Sequence, residues 1–366
     1  MPRKPRTVPV KRSSAPRRAA QLRLTGTGFQ DHFERMVDNV GTVLKGKDDV
    51  VRLSLTAMLA NGHLLFEDYP GTGKTMLARA LAATVSASTS RVQCTPDLLP
   101  ADITGSPVLD RATGGFVFRP GPIFANIFLA DEINRATPKT QSALLEAMAE
   151  RTVTVDGTSH QLPNPFFVLA TENPIELAGT FPLPEAQLDR FLFKLSLGYA
   201  SPAAEVEVLM ANRTGEAIDR IGPVVGTEEL IAMIEWAAEV QISEPVVRYI
   251  VDLCQATRND PTLQMGASSR AALSLMRASR VVAASQGRDD VLPDDVRLLV
   301  TAVFGHRLLL TPDALLRDDT IDAVIDRLLT SVKAPLGLAK GSGPPPMTAK
   351  GSGPPPIIAK GSGPRR

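Results

Sequence analysis

The stretch "FEDYPGTGKTML", residues 66–77, contains most of a phosphate-binding loop between an apolar run and a helical pattern. The usual pattern is G-x-x-x-x-G-K-[ST], and Gly73, Lys74 and Thr75 supply its last three positions. The first position is Asp68 instead of glycine. The stretch is therefore either a nucleotide site or a turn that only resembles one, and the rest of the chain has to decide.

A loop of this kind binds phosphate through backbone N–H groups at the positive end of a helix. Gly71 and Gly73 would let the backbone approach the phosphates closely. Lys74 would contact the β and γ phosphates of ATP, and the Thr75 hydroxyl would ligate Mg²⁺. The neighbouring positions that complete the predicted ATP-binding loop are Pro70, Thr72 and Met76.

Two acids end a second apolar run, "IFLADE" at 127–132. In a parallel sheet the carboxyl ends of the strands face the ligand. We therefore expect Asp131 to hold Mg²⁺ and Glu132 to polarise the attacking water. The alternative is that both acids only cap a helix, but a phosphate-binding loop upstream favours the catalytic interpretation.

Apolar runs alternate with helical patterns through residues 28–198, which predicts an α/β domain with a parallel sheet covered on both faces. The two stretches 110–123 and 151–163 interrupt this alternation and are predicted to form β-hairpins. The second contains Asp156-Gly157, a strong hairpin turn signal. The predicted strands of the sheet are 62–67, 124–131, 166–173 and 191–197.

Strand signals fade after this domain, and helical spacing predicts a second, all-helical domain over residues 199–336. Residues 1–27 are basic, and residues 337–366 repeat an "AKGSGPPP" decamer, so both ends are predicted to be disordered. A solvated tail is the favoured interpretation of the basic arm. Its alternatives are a nucleic-acid contact and a lipid-surface contact.

The composition fits a globular protein of 366 residues, with 43% hydrophobic and 22% charged residues. A formal net charge of +1 indicates no general attraction to nucleic acid or anionic membranes. Cys94 and Cys254 are too few for a disulfide framework or a zinc site. Because no apolar stretch is long enough to span a membrane and no secretory signal is present, we expect a cytoplasmic protein.

Three long motifs are "GTGKTMLARALA" (71–82), "LATENPIELAGTFPLPEAQLDRFLFKL" (169–195) and "GASSRAAL" (266–273). Together they resemble the MoxR family of AAA+ ATPases, whose wider relatives include the ATPase subunit of magnesium chelatase. The resemblance extends from about residue 33 to residue 335. It implies a P-loop AAA+ core followed by a helical lid. Because the first loop glycine is often replaced in this family, Asp68 is consistent with an ATP site.

The resemblance also implies roles for residues outside the loop. Asn173 matches sensor 1, Arg190 in "QLDRF" matches the arginine finger, and Arg270 matches sensor 2 in the lid. Gly46 in "VLKGKDDV" matches a segment beside the adenine, where Lys47 replaces the usual glutamine. The two predicted hairpins resemble the helix-2 insert and the pre-sensor-1 hairpin.

The local sequence leaves alternatives open for two of these residues. Asn173 could be a loop residue satisfied by the backbone. Arg190 could form a surface salt bridge with Asp189 or Glu185. An arginine supplied by a neighbouring subunit would instead stabilise the charge that develops on the γ-phosphate.

The resemblance implies a homo-oligomeric ring, hexameric in this family, that hydrolyses ATP with Mg²⁺ and remodels or matures client complexes. It also implies a partner with a von Willebrand factor A domain. A nucleic-acid-stimulated motor is a less favoured alternative, suggested by the hairpins and the basic arm. A second alternative is a scaffold that binds ATP without hydrolysing it.

Overall fold

The computed structural model of the protein describes residues 24–69, 71–174, 179–199, 201–211 and 221–335. Pro70 and nearly all of both predicted disordered ends lie outside these residues. The predicted boundaries of the four regions therefore stay predictions.

Five parallel strands form the central sheet in the order β2-β5-β8-β1-β9. The order is not sequential, because helices on the faces of the sheet connect strands that are not neighbours. The strands are β1 (Leu64–Glu67), β2 (Thr89–Gln93), β5 (Ile127–Asp131), β8 (Phe167–Glu172) and β9 (Phe193–Leu195).

Helices cover both faces of this sheet, as the continuous apolar strands predict. Three helices, α1 (Gly26–Gly41), α2 (Asp48–Leu59) and α3 (Lys74–Thr84), pack on one face. The opposite face packs against α5 (Pro138–Glu150), whose first residue is proline and whose N-cap is Thr137. The short helices of this region are α4 (Pro100–Thr104) and α6 (Glu185–Leu188).

The sequence did not predict the edge strand β2. Its residues, "TSRVQ", alternate between exposed and half-buried positions, and only Val92 is apolar. A strand at the edge of a sheet needs no continuous apolar run, so the pattern that predicted β1, β5, β8 and β9 does not find it.

The two hairpins are present as separate two-stranded sheets. In the first, β3 (Gly105–Leu109) pairs with β4 (Phe116–Pro120), so the hairpin begins before the predicted residue 110, which lies in its turn. In the second, β6 (Thr152–Val155) pairs with β7 (Thr158–Gln161) around Asp156 and Gly157. Both turn residues have positive φ, 49° and 75°, as a tight hairpin turn of this type requires.

The lid is mainly helical and shares a hydrophobic cluster with α1, α2 and α3. It also contains a short antiparallel pair, β10 (Leu263–Met265) and β11 (Leu309–Leu310). The Ser268 side chain caps a lid helix by accepting from the Ala271 backbone N–H. The lid helices are α7 (Pro202–Ala211), α8 (Thr227–Glu239), α9 (Glu244–Asn259), α10 (Ser269–Ser285), α11 (Pro293–Phe304), α12 (Pro312–Leu316) and α13 (Ile321–Ser331).

Both cysteines are free thiols in the interior, as expected for isolated buried residues. Burial is the main reason that the pKa of Cys94 rises to about 12 and that of Cys254 to about 11. Within the part of the chain that the structure describes, no helix is long and apolar enough to cross a membrane.

Candidate nucleotide-binding site

The phosphate-binding loop connects the end of β1 to the start of α3. Gly71 and Gly73 have φ values of 82° and 98°, which a residue with a side chain rarely adopts. Gly73 is also the N-cap of α3, so the helix begins at Lys74. The strand, the tight turn and the helix N-terminus are the context that a phosphate site requires.

The Lys74 ammonium lies inside this loop. Its Nζ donates to the backbone carbonyls of Asp68 and Tyr69, at 2.6 and 3.0 Å. Burial lowers its pKa, which Asp68, Asp131 and Glu132 partly offset by attraction. The half-buried Lys74 ammonium, with three carboxylates nearby, is suited to bind an anion that carries a bound metal cation.

The Asp68 carboxylate is hydrogen-bonded to backbone groups outside residues 71–75. Its Oδ2 accepts hydrogen bonds from the backbone N–H groups of Leu197 and Gly198, at 2.6 and 2.8 Å. Its Oδ1 accepts from its neighbour Tyr69, and the side chain is buried. Asp68 is therefore bound to the connector that follows β9.

Asp131 lies at the carboxyl end of β5, next to the first turn of α3. The Thr75 hydroxyl is 3.4 Å from Asp131 Oδ2, which places the two predicted Mg²⁺ ligands side by side. The Thr171 hydroxyl donates to Asp131 Oδ1 at 3.0 Å and accepts from the Glu132 backbone N–H at 2.8 Å. Thr171 therefore positions both acids from the neighbouring strand β8.

Two residues of the unpredicted strand β2 contact these acids. Arg91 forms an ion pair with Asp131, with Nε and Nη2 at 2.8 and 2.7 Å from Oδ2. Gln93 Nε2 donates to Glu132 Oε2 at 2.8 Å, and Arg135 Nη1 contacts the same oxygen at 3.0 Å. Glu132 itself is in the left-handed region, with φ of 55°. The Glu132 carboxylate is thus held at the carboxyl end of β5 by the Gln93 amide and the Arg135 guanidinium.

The predicted sensor residue Asn173 follows β8 directly and is buried. Its backbone carbonyl is 3.3 Å from the side-chain nitrogen of Asn134, just after Glu132. The structure therefore brings Asn173 to the same sheet edge as Lys74, Thr75 and Asp131. These residues come from the ends of three neighbouring strands, where parallel sheets bind ligands.

Arg190 is not part of this group. Its Nη1 donates to the carbonyl of Leu145 on α5, at 2.5 Å. Because α5 and α3 pack on opposite faces of the sheet, Arg190 is anchored away from its own phosphate loop. Arg190 forms no ion pair with Asp189 or Glu185, so neither salt bridge considered from the sequence is present.

Arg270 extends from the start of α10 toward the core. Its Nη1 is 3.5 Å from Asp189 Oδ2, and its side chain remains 56% exposed. The Ser268 hydroxyl also donates to the Asp189 carboxylate, at 3.2 Å. An acid of the core therefore occupies the N-terminus of α10, which offsets the unfavourable placement of a cation there. More than half of Arg270 is still available for a ligand.

Similarity to known proteins agrees with this geometry. The profile of the ATPase family associated with various cellular activities (AAA) matches residues 63–193, and the AAA lid domain matches residues 255–328. The chain is 41% identical over 312 residues to Chaperone MoxR1 of Mycobacterium tuberculosis, covering 83% of this chain and 82% of that protein. This chain belongs to the MoxR family of AAA+ ATPases.

Two further relatives support the assignment. Protein YeaC of Bacillus subtilis is 47% identical over 302 residues, which cover 82% of this chain and 94% of YeaC. A crystal structure of a protein from Cytophaga hutchinsonii assigned as an ATPase superposes with a TM-score of 0.78. It is 36% identical, and the match covers 84% of this chain and 96% of that one. The AAA+ fold and general ATPase character of this MoxR-family protein follow.

The segment before α2 contains Gly46, which was predicted to lie beside the adenine. Gly46 has φ of 68°, and Lys47 is the N-cap residue of α2. Lys47 Nζ donates to the carbonyls of Gly198 and Tyr199 at 3.3 and 2.8 Å, and also contacts that of Leu197. The Lys47 side chain therefore binds the connector between core and lid.

A buried arginine that the sequence did not single out joins lid and core. Arg307, after α11, forms an ion pair with Asp189, with Nε 2.7 Å from Oδ1. Its Nη2 donates to the carbonyl of Phe191 at 2.5 Å. Only 2% of the Arg307 side chain is exposed. The partners are 118 and 116 positions apart in the sequence, so no local pattern could have indicated the pairing.

Proposed function

We propose that this protein is a Mg²⁺-dependent ATPase whose active sites are completed between neighbouring copies in a ring. The observation that carries the proposal is the convergence of Lys74, Thr75, Asp131 and Glu132 at one sheet edge, with Thr75 and Asp131 in contact. This arrangement supplies the parts that phosphoryl transfer requires of a P-loop ATPase.

The donor atoms at this edge fit Mg²⁺. Thr75 and Asp131 offer a hydroxyl and a carboxylate, and Mg²⁺ is commonly held by one or two protein oxygens together with water and phosphate. No group of three His, Cys, Asp or Glu that could enclose a metal occurs among the described residues, which suits an ion that arrives with ATP. When bound, Mg²⁺ neutralises charge on the β and γ phosphates.

Glu132 is the residue placed to orient and deprotonate the attacking water. Its backbone is fixed by Thr171, and its carboxylate is held by Gln93 and Arg135. Lys74 would exchange its bonds to loop carbonyls for phosphate oxygens, while Asn173 would contact the γ-phosphate or the water. Asp68 stays bound to the connector, from where its carboxylate attracts the Lys74 ammonium.

A ring explains the position of Arg190. Its guanidinium is fixed to α5, on the face of the sheet opposite the phosphate-binding helix α3. In a closed ring of head-to-tail contacts, that face would meet the nucleotide edge of the next copy. Arg190 would then stabilise the γ-phosphate of its neighbour, and six copies would close the ring as the family resemblance implies.

The work done by this turnover is inferred from the relatives. One of them is named a chaperone. We infer that hydrolysis changes how the lid sits on the core and that a client protein complex is remodelled or matured as a result. A protein with a von Willebrand factor A domain is the adaptor that we expect.

Phosphate release by the purified full chain tests the activity. Glu132→Gln should keep ATP affinity and lose turnover by about 100-fold or more, because the water loses its base. Glu235→Gln, an exposed acid of the lid helix α8, is the matched control and should retain the wild-type rate. Equal rates for wild type and Glu132→Gln would remove Glu132 from the mechanism. A wild type that binds ATP without releasing phosphate would indicate the scaffold alternative.

A further inference from the structure

A cavity of about 320 Å³ lies between the core and the lid. None of the residues that line it belongs to the candidate nucleotide site. The core contributes the end of α2 and the residue that follows it, Asn61, and the lid contributes α8 and α10. Its apolar wall consists of Leu59, Ala60, Ile234, Ala237, Met276 and Val281.

Two arginines of α10 complete the cavity wall. Arg280 Nη1 donates to the backbone carbonyl of Ala238 at 2.8 Å, but its Nε is buried and has no hydrogen-bond partner. Arg277 is exposed at the rim and has no hydrogen bond or ion pair within the described ranges. The cavity therefore combines an apolar wall with two guanidinium groups that have unused donors.

A third arginine approaches the rim from the core. Arg151 Nη2 donates to the backbone and side-chain oxygens of Asn61, at 2.8 and 2.9 Å. Burial, together with repulsion by Arg277, lowers the pKa of Arg151. Arg151, Arg277 and Arg280 form no ion pair with any carboxylate in the described parts of the chain. Positive charge is thus concentrated at this cavity without a protein counter-ion.

We propose that this cavity binds a small amphipathic anion, in which a phosphate or carboxylate group is attached to an apolar body. Arg277 and Arg280 contact the anionic group, because guanidinium groups bind both kinds of oxyanion through charge-assisted hydrogen bonds. The apolar body lies against the wall that includes Leu59, Ile234 and Met276. A cavity with an apolar wall and a few convergent polar groups is typical of small-molecule sites.

A ligand in this cavity would make the arrangement of lid and core depend on the ligand concentration. It would touch α2 of the core together with α8 and α10 of the lid. The same helix α10 carries Arg270 near its start, about 10 Å along the helix axis from Arg277 at 1.5 Å per residue. If the ligand binds one arrangement of lid and core more tightly, it shifts the protein toward that arrangement, and nucleotide binding shifts ligand affinity reciprocally.

Isothermal titration of the full chain with hexyl phosphate tests the proposal without reference to ATP turnover. We expect saturable one-to-one binding that is at least about tenfold tighter than that of inorganic phosphate or hexanol, because each of these lacks one half of the ligand. Heptanoate distinguishes the two head groups. Tighter binding of either compound supports the proposal and identifies the preferred oxyanion.

Three variants locate the site. Arg277→Gln should weaken hexyl phosphate binding by about tenfold, and because this side chain is exposed and unpaired within the described ranges it should not affect folding. Arg248→Gln, an exposed arginine on α9 whose ion-pair partner is Glu244, should bind like wild type. Lys74→Ala should also bind like wild type, which excludes the phosphate loop as the site.

Absence of saturable binding by the wild type would overturn the proposal. So would binding that Arg277→Gln leaves unchanged, or that Lys74→Ala abolishes. Inorganic phosphate that binds as tightly as hexyl phosphate would show that the apolar wall takes no part, which would overturn the assignment of an amphipathic ligand.

Discussion

The Asp68 carboxylate and the Lys47 ammonium both bind the backbone of the same turn, one as acceptor and the other as donor. Asp68 accepts from the backbone N–H groups of Leu197 and Gly198, and Lys47 donates to the carbonyls of residues 197–199. This turn follows β9 and leads into the lid. Asp68 replaces the usual first glycine of the phosphate loop, and both side chains bind the connector between core and lid.

Replacement of Asp68 tests this structural role. Asp68→Gly restores the usual first glycine of the loop, yet we expect it to destabilise the protein by about 1–3 kcal/mol, because two buried amides lose a charged acceptor. ATP affinity should not improve. Urea unfolding and nucleotide titration measure the two effects, with Asp97→Gly, an exposed acid in a turn outside the helices, as a control for the loss of a surface acid. Asp68→Gly with unchanged stability and tighter ATP binding would contradict the assignment.

The phosphate loop and the two acids could be predicted from sequence because each lies within a few residues of a diagnostic pattern. "GTGKT" requires a turn before a helix, and "IFLADE" places acids directly after a buried strand. Strands β1, β5, β8 and β9 were predicted for the same reason, since continuous apolar runs are long enough to recognise.

Residues that act through distant partners could not be predicted. Arg91 and Gln93 lie on a largely polar edge strand, and their partners Asp131 and Glu132 are 40 and 39 positions away. Arg307 reaches Asp189 across 118 positions. The connector role of Asp68 depends in the same way on the position of β9, which only the assembled sheet defines. Local patterns contain no information about such contacts.

Arg91 is expected to compete with Mg²⁺ for the Asp131 carboxylate. The ion pair is half exposed on the arginine side, with 53% of the Arg91 side chain accessible. An ion pair of this kind contributes roughly 0.2–1 kcal/mol. Arg91→Gln should therefore lower the Mg²⁺ concentration for half-maximal ATP turnover by up to about fivefold. The exposed Arg119→Gln is the control. A higher Mg²⁺ requirement in Arg91→Gln would indicate that the arginine assists metal or nucleotide binding.

Arg190 is expected to act on the nucleotide of a neighbouring subunit. Arg190→Ala should bind ATP nearly as well as wild type and lose turnover by at least about 100-fold, because the γ-phosphate loses a cation in the transition state. Mixing it with Lys74→Ala should restore activity. About a quarter of the interfaces in a randomly mixed ring then combine an intact loop with an intact Arg190.

The control for this complementation is a mixture of Lys74→Ala with Glu132→Gln. Both of these residues belong to the same half of the site, so no interface in that mixture is complete and no activity should return. Phosphate release by preincubated mixtures measures both cases. Failure of Arg190→Ala to be complemented, when the variant is folded and assembled, would place Arg190 outside the neighbour's active site.

Glu172 is expected to make stability depend on pH near neutrality. It is paired in register with Glu67 on β1, and Lys194 of β9 forms an ion pair with Glu67 at 2.9 Å. Burial raises the pKa of Glu172 to about 7, Lys194 opposes the rise, and Glu67 adds to it. The acid is therefore held partly protonated at neutral pH, next to Asn173.

The sign of the effect follows from proton binding. The folded state binds the Glu172 proton more tightly than the unfolded state, whose pKa is about 4.3. The free energy of unfolding should therefore fall as pH rises from about 4.3 to about 7 and then level off. In Glu172→Gln this contribution is absent. The free energy of unfolding of the variant, relative to that of wild type, should therefore rise by on the order of 2–3 kcal/mol between pH 5 and pH 8.

Urea unfolding of both proteins at pH 5, 6, 7 and 8 measures this difference directly. Titration of all other groups cancels in the comparison, and Glu235→Gln, an exposed acid on α8, should show no pH-dependent difference. A constant difference between wild type and Glu172→Gln across the range would mean that Glu172 is ionised throughout. In that case Lys194 would have to neutralise Glu172 as well as Glu67, and the buried carboxylate beside Asn173 would carry its charge in the working enzyme.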